Sequence, residues 1–434
     1  MSTLKLITVL LMASIMTLSY TAFPLAFSQA STSNDNWSMF HHDLSHSGYS
    51  SVIPTATSST LLWNYSTRSV IWASPTIVDG RVYIPSDDGN VYCLDAVTGD
   101  KIWNMTIAGR RGTIGSSVAF ADGYLYFGGY DHNVYCLSAS TGDKIWNYTT
   151  GNTVESCPAV AGGKVYVGSW DGNIYCFDAM TGSKIWNYST GNLVESSPAI
   201  VDGLLYVGST DSKVYCLNAL TGASVWNYTT GNLVQSSPAV VDDRVYIGSE
   251  DNNVYCFDAS SGGLLWNYTT NGWVDSSPAV ANGYVYVGSL VLDSNRNYIA
   301  SDVYCLNAVT GEKIWNYTTK GGVNSSPAVA GEFVYVGGWD YKVYCLNASS
   351  GAKIWSYATQ GHVNSSPAIA NGVVNVASWD HKVYAFGAPS NASTSSKPVE
   401  VIYLLAAAIV VIVVVVVLLK RKKPITKEVR KLSE

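Results

Sequence analysis

Residues 187–226 read NYSTGNLVESSPAIVDGLLYVGSTDSKVYCLNALTGASVW, and their pattern decides the fold. Four runs rich in β-branched and aromatic residues stand at 192–201, 204–208, 214–219 and 224–229. Three turn signals separate them: Val201-Asp202-Gly203, Thr210-Asp211-Ser212-Lys213 and Leu220-Thr221-Gly222-Ala223. Short runs of this kind, punctuated by Gly, Asp and Asn, predict antiparallel strands joined by hairpins. Residues 60–388 lack the 3.6-residue apolar period of a helix.

The same unit is written eight times. Its markers are Trp63, Trp103, Trp146, Trp186, Trp226, Trp266, Trp315 and Trp355, spaced 40, 43, 40, 40, 40, 49 and 40 residues apart. Four strands per unit of this period predict the blade of a β-propeller. The final unit stops at Ala388 after three runs, while Leu61-Leu62-Trp63-Asn64-Tyr65 stands alone before the first full unit. That stray strand is expected to complete the last blade and leave no open sheet edge between the chain's ends. The reading is an all-β, eight-bladed propeller of four-stranded antiparallel blades over residues 61–388, closed by its N-terminal strand. A ring of seven would leave one unit outside.

The flanks point to export. Lys5 precedes an apolar core at 6–18, and Ser28-Gln29-Ala30 suits cleavage, so residues 1–30 read as a signal peptide. Residues 31–60 form a lead-in and 389–400 a Ser-rich stalk. Residues 401–419 hold no charge and would make a transmembrane helix of about 28 Å. Lys420-Arg421-Lys422-Lys423 open a basic tail, 420–434, which places the tail in the cytoplasm and the propeller outside the cell membrane in a single-pass protein. A net charge of −6, with no basic patch before the tail, argues against nucleic acid as a partner.

Seven cysteines (Cys93, Cys136, Cys176, Cys216, Cys256, Cys305 and Cys345) occupy one repeated phrase, a full repeat apart, and Ala385 takes that place in the last unit. They are expected to be packed free thiols, too distant to bridge. Cys157 replaces a repeated Ser in the phrase SCP. Sequons follow seven of the marker tryptophans, at Asn64, Asn104, Asn147, Asn187, Asn227, Asn267 and Asn316, and another stands at Asn391, so a glycosylated surface protein is expected.

The phrase Asp95-Ala96-Val97-Thr98-Gly99-Asp100-Lys101-Ile102-Trp103 recurs, for example as Ser138-Ala139-Ser140-Thr141-Gly142-Asp143-Lys144-Ile145-Trp146. It resembles the tryptophan-docking motif of pyrroloquinoline-quinone (PQQ)-type propellers, over residues 37–388. The opening from Trp37 to Gly48 is similar to that family's lead-in. The resemblance implies that each marker Trp docks over the next blade's motif. The family includes quinoprotein dehydrogenases and non-enzymatic relatives: the outer-membrane assembly lipoprotein and sensor ectodomains. The dehydrogenases carry a vicinal disulfide, a calcium ion and a catalytic Asp. No two cysteines are adjacent here and the units are near-copies, so no cofactor, metal or catalytic residue is expected. PQQ with calcium belongs to the alternative of an oxidoreductase, and a sensor ectodomain is a further alternative.

In a four-stranded blade the second turn and the link into the next blade lie on one face. Two varying positions are expected to converge there. Before the SSP phrase stand Trp72, Gly115, Glu155, Glu195, Gln235, Asp275, Asn324 and Asn364. In the second turn stand Asp87, Tyr130, Trp170, Thr210, Glu250, Leu290, Trp339 and Trp379. A nine-residue insertion, 291–299, falls in the same turn of blade six, beside Trp273 and Asp275. Aromatics among carboxylates and amides suit sugars, peptides or cations. The expected function is non-catalytic binding or scaffolding for an envelope protein, peptide or glycan. Ring closure brings the lead-in near the last blade, which leaves open an approach of His41 or His46 to His362 or His381, while packing and surface roles are the preferred reading of these histidines.

Overall fold

The computed structural model describes residues 36–52, 54, 57–107, 114–293 and 299–388. The signal peptide, the stalk with Asn391, the transmembrane span and the basic tail lie outside the described residues, among which no helix is long and apolar enough to cross a membrane. Each repeat forms one four-stranded antiparallel sheet, and there are eight such sheets. In blade four the strands are Ala199–Val201, Leu204–Ser209, Lys213–Asn218 and Ser224–Thr229, ordered from the axis outward. Leu61–Ser66 pairs antiparallel with Lys382–Phe386 and supplies the outer strand of blade eight. The ring therefore closes with eight blades.

The innermost strand is shorter than its sequence implies. Residues 192–201 were expected to run as one strand, and only Ala199–Val201 pairs with a neighbour. The reason lies in the SSP phrase. Pro198 has no N–H to donate, and the Ser197 N–H turns sideways to Ser237 Oγ of the next blade, 2.8 Å away. The same bond recurs in every blade: from Ser74 to Ser117, then Cys157, Ser197, Ser237, Ser277, Ser326, Ser366 and back to Ser74. A circle of eight hydrogen bonds thus girdles the axis, with one sulfur in place of an oxygen at Cys157.

Blades are clamped at larger radius by the tryptophans. The indole N–H of Trp226 donates to Ala259 O of the next blade at 2.9 Å, and six other marker tryptophans make the same bond to the next blade's motif Ala. The ring lies on the motif glycine: a Cβ at Gly222 would sit 2.7 Å from Trp186, and φ there is +73°. Only Gly meets both demands. A β-bulge before each tryptophan shifts the register of the outer strand and turns the indole inward, while the preceding aliphatic, such as Ile145 or Val225, stays exposed. All eight cysteines are buried and free.

One end of the central channel is plugged. The lead-in crosses it and accepts bonds from the middle N–H of six inner strands: Ile77, Phe120, Ile200, Val240, Val280 and Val329 donate to the carbonyls of Trp37, Ser38, Leu44, Ser45, Ser47 and Gly48. Tyr49–Ser50 then adds a parallel strand to blade seven. His41 and His46 are buried inside this plug, with His46 Nδ1 at 3.1 Å from Pro238 O. The approach to His362 or His381 that ring closure left open is corrected accordingly. His362 bonds Trp339 O at the opposite end of the channel, and the main chain of His381 bonds the closing strand at Thr67. Closure joins the lead-in's far end to blade eight, not the turn that carries the histidines.

Candidate functional site at the open mouth

The other end of the channel is formed by the links between blades and the second turn of each blade. The geometry brings the two varying positions together. A turn residue meets the link residue of the following blade. The Tyr130 hydroxyl donates to the Glu155 carboxylate. The Trp339 indole N–H donates to Asn364 Oδ1 at 3.0 Å, and the rings of Trp379 and Trp72 lie 4.1 Å apart. Asn324 Nδ2 also donates to Asn364 Oδ1, at 3.1 Å. Within a blade the positions meet as well: a Cβ at Gly115 would strike Tyr130 at 2.6 Å.

The mouth has two unlike arcs. Blades seven, eight and one contribute Trp339, Trp379 and Trp72, with Trp339 and Trp379 6.2 Å apart. His362 inserts between them, 4.8 Å from Trp379 and 5.4 Å from Trp339. Tyr130 and Trp170, 6.3 Å apart, continue the aromatic rim through blades two and three. Blades three to six contribute Glu155, Glu195, Glu250 and Asp275, with half-buried Gln235 at its place between Glu195 and Asp275 in ring order. Trp273 exchanges main-chain bonds with Leu290 beside Asp275. Of the insertion, residues 294–298 lie outside the described residues; at its ends the Ile299 N–H donates to Val291 O at 2.9 Å.

The carboxyls burden one another. Burial pushes Asp275 up to about 7, helped by the charges of Glu250 and Glu195. Burial, then Glu155 and Glu250, raise Glu195 to about 7. Burial also raises Glu155 and Glu250, and Asp87 across the mouth reaches about 6 from burial, opposed by a hydrogen bond from Trp72. Oδ1 of Asp275 and of Asp87, and the indole N–H of Trp170 and Trp379, are closed to solvent and have no partner in the chain. Asp87 and Glu250 join the acidic groups of the mouth, and His362, which the sequence pattern did not single out for it, joins the aromatic ones. The first two occupy the varying turn position; His362 stands where Trp273 stands in blade six, two residues before the varying link position, and that second offset is the signal that would have found it.

The aspartates one residue after the varying turn position are bonded within the chain and are not part of this mouth's charge. Asp171, for example, accepts from Tyr175 Oη at 2.7 Å and Gly151 N at 2.7 Å, and Asp211, Asp251 and Asp380 repeat the pattern. At the outer edge the exposed sequon asparagines join a polar ladder. Asn147 Nδ2 and Thr149 Oγ1 both donate to Asn133 Oδ1, at 3.1 and 2.7 Å.

Comparison with known proteins agrees with this architecture. The family model described as outer membrane protein assembly factor BamB matches residues 45–108, 87–233, 230–302 and 299–390. BamB from Moraxella catarrhalis superposes with a TM-score of 0.64 at 22% identity, over 75% of this chain and 97% of that one. Quinohemoprotein alcohol dehydrogenase from Comamonas testosteroni gives 0.71 at 16% identity, over 81% and 80%. A europium-containing methanol dehydrogenase gives 0.67 at 15%, over 81% and 89%. No curated protein sequence matches the chain. At these identities the structural likeness speaks for the fold alone.

Proposed function

The chain belongs to the PQQ-type propeller family described as outer membrane protein assembly factor BamB, and from that premise we propose that it is a non-catalytic binding or scaffold module of the cell envelope. Its propeller lies outside the cell and is held by the apolar segment 401–419. The mouth is its contact surface for an envelope protein. The single observation that carries this reading is the concentration of variation in near-identical blades at two positions, which meet around one opening.

The oxidoreductase alternative is weaker on the chemistry of the same opening. PQQ is a tricarboxylate, and this mouth presents Glu155, Glu195, Glu250 and Asp275 on one side and Asp87 on another, with carboxyls raised by burial and further by one another's charge. The described residues hold no group of three His, Cys, Asp or Glu side chains set to grip a metal. The cysteines stand apart and free. These residues do not fit the quinone, and no reaction step is derived through it.

Site-specific photo-crosslinking of the full-length protein in its own membrane tests the proposal. A photoreactive side chain at Trp170 is expected to capture a discrete envelope protein, and one at Val225 on the outer edge is not. Equal labelling at both positions, or dye reduction by the purified chain with an alcohol after PQQ and calcium are supplied, defeats it.

A further inference from the structure

We infer that the mouth receives a basic peptide segment, a cationic head set against the Asp275, Glu195 and Glu250 carboxyls and the stem of a further basic side chain against the Trp379 and Trp72 rings. This deepens the binding-module reading above and rests on it. Three independent features of the opening converge on that ligand.

The first is charge of one sign at the varying positions. No Lys or Arg occupies either varying position at the mouth, and the ring order brings Glu195, Glu250 and Asp275 into neighbouring blades. The second is an unmet acceptor. Asp275 keeps only partial surface exposure, yet its Oδ1 is closed to solvent and bonded to nothing in the chain. A buried carboxylate oxygen left bare costs about 1–3 kcal/mol or more, so the site is built to be completed from outside. An ammonium or guanidinium supplies the N–H and the charge together. The third is the aromatic arc opposite. Trp72 is the largest exposed aromatic of the mouth at 37% exposure, and it packs at 4.1 Å on Trp379, whose own indole N–H has no partner. Such a surface accepts the methylene stem of Lys or Arg, and the faces of the rings attract a cation.

A neutral sugar would use the aromatic arc and donate hydroxyls to the carboxyls, but it brings no charge to offset four clustered acids. A bare divalent ion would use the carboxyls and leave the tryptophans idle. A peptide with basic side chains uses both and supplies the charge. The peptide also matches the unpaired indole N–H groups of Trp170 and Trp379, which main-chain carbonyls can accept.

The test is titration of full-length protein in detergent with a labelled acetyl-Gly-Arg-Gly-Arg-Gly amide, its Glu twin and calcium chloride. The Arg peptide is expected to bind and the Glu twin is not. Affinity should fall at least about tenfold as salt rises from about 0.01 to about 0.5 M, as for exposed charge pairs. The isosteric pair Asp275→Asn with Glu195→Gln should weaken it by about tenfold or more, and Trp379→Ala by a smaller factor. Salt dependence on the unaltered chain keeps the test valid if a variant misfolds. The inference falls if the Arg peptide fails to bind, binds equally with the carboxamide pair, or is insensitive to salt; calcium binding abolished by that pair, without peptide binding, reassigns the site to a metal. A Trp170 crosslink to an envelope protein alongside a failed peptide titration would leave the binding module standing and remove only its charge chemistry.

Discussion

The two ends of the channel are made from the same inner strands and have opposite chemistry. At the plugged end the lead-in carbonyls bond the middle N–H of six of those strands, and Trp37, His41 and His46 are buried. At the open end Oδ1 of Asp275 and of Asp87 and two indole N–H groups are left without partners. The plugged end is held by main-chain bonds, and its unpartnered group among the described residues is the buried His41 ring; the open end leaves charged carboxyl oxygens and indole N–H groups unmet around an opening. Stability and binding are therefore separable along one axis, and this explains why repeats that are nearly copies differ mainly at the mouth. Below it, every blade must make the same bonds to its neighbours.

The sharpest way to break this contrast is a matched pair of tryptophan deletions. Trp37→Ala removes a side chain 2% exposed, in the same core cluster as Ile71 and Ile77 and paired through its main chain with Ile77. It is expected to cost about 3–5 kcal/mol. Trp170→Ala removes a half-exposed ring whose indole N–H has no partner, and should cost about 1 kcal/mol or less. Denaturant unfolding of the two variants measures the difference. Equal losses would mean that the mouth is as structural as the plug.

The sequence exposes these two ends unequally. The open end is visible because its information is in side chains: the varying residue before SSP and the varying residue of the second turn converge by topology alone. The plug is only half visible: its phrase resembles the family's lead-in, but its bonds to the inner strands run chiefly between main-chain groups, so no residue marks where it docks. Its tight path also runs through His41, His42 and His46 at φ of 54°, 82° and 55°, a conformation not expected of non-glycine residues. The SSP serines fall between these cases. Their repetition is plain in the sequence and reads as polar strand positions, while the bonds they make run between blades. The tryptophan clamps, by contrast, follow from the family motif, and the closing strand follows from counting.

The ends should also respond to pH with opposite sign. Glu195 and Asp275 have folded pKa values raised to about 7, so the folded state holds their protons more tightly than the unfolded one. Their contribution to stability is full below about pH 4 and is lost as pH rises through about 7. Burial lowers His41 to about 3 and His46 to about 4. Their contribution is full above the ordinary His value of about 6.5 and is lost as pH falls toward the folded values. Asp275→Asn with Glu195→Gln should raise the unfolding temperature at pH 8, by a free energy of about 1–2 kcal/mol after screening of these partly exposed groups. The same pair should change almost nothing at about pH 2.5, where both carboxyls are mostly protonated in either state. A stability gain that is the same at both pH values would show that burial and neighbouring charge do not raise these carboxyls.

The smallest effect lies at the girdle between the two ends. Ser117 N–H donates to Cys157 Sγ at 3.2 Å, where the other seven bonds of the circle end on a hydroxyl oxygen. Sulfur is the weaker acceptor, so Cys157→Ser should complete the circle and gain about 0.5 kcal/mol, within the usual worth of one hydrogen bond. The reverse change elsewhere in the circle must be larger and of opposite sign. Ser197→Ala leaves the buried Cys157 N–H with no acceptor and should cost about 1–3 kcal/mol. The comparison isolates acceptor strength because both positions are buried and have the same neighbours around the axis. If Cys157→Ser destabilises the chain by as much as Ser197→Ala, the thiol is filling space that a hydroxyl cannot, and packing rather than the hydrogen-bond circle holds the blades in register at that level.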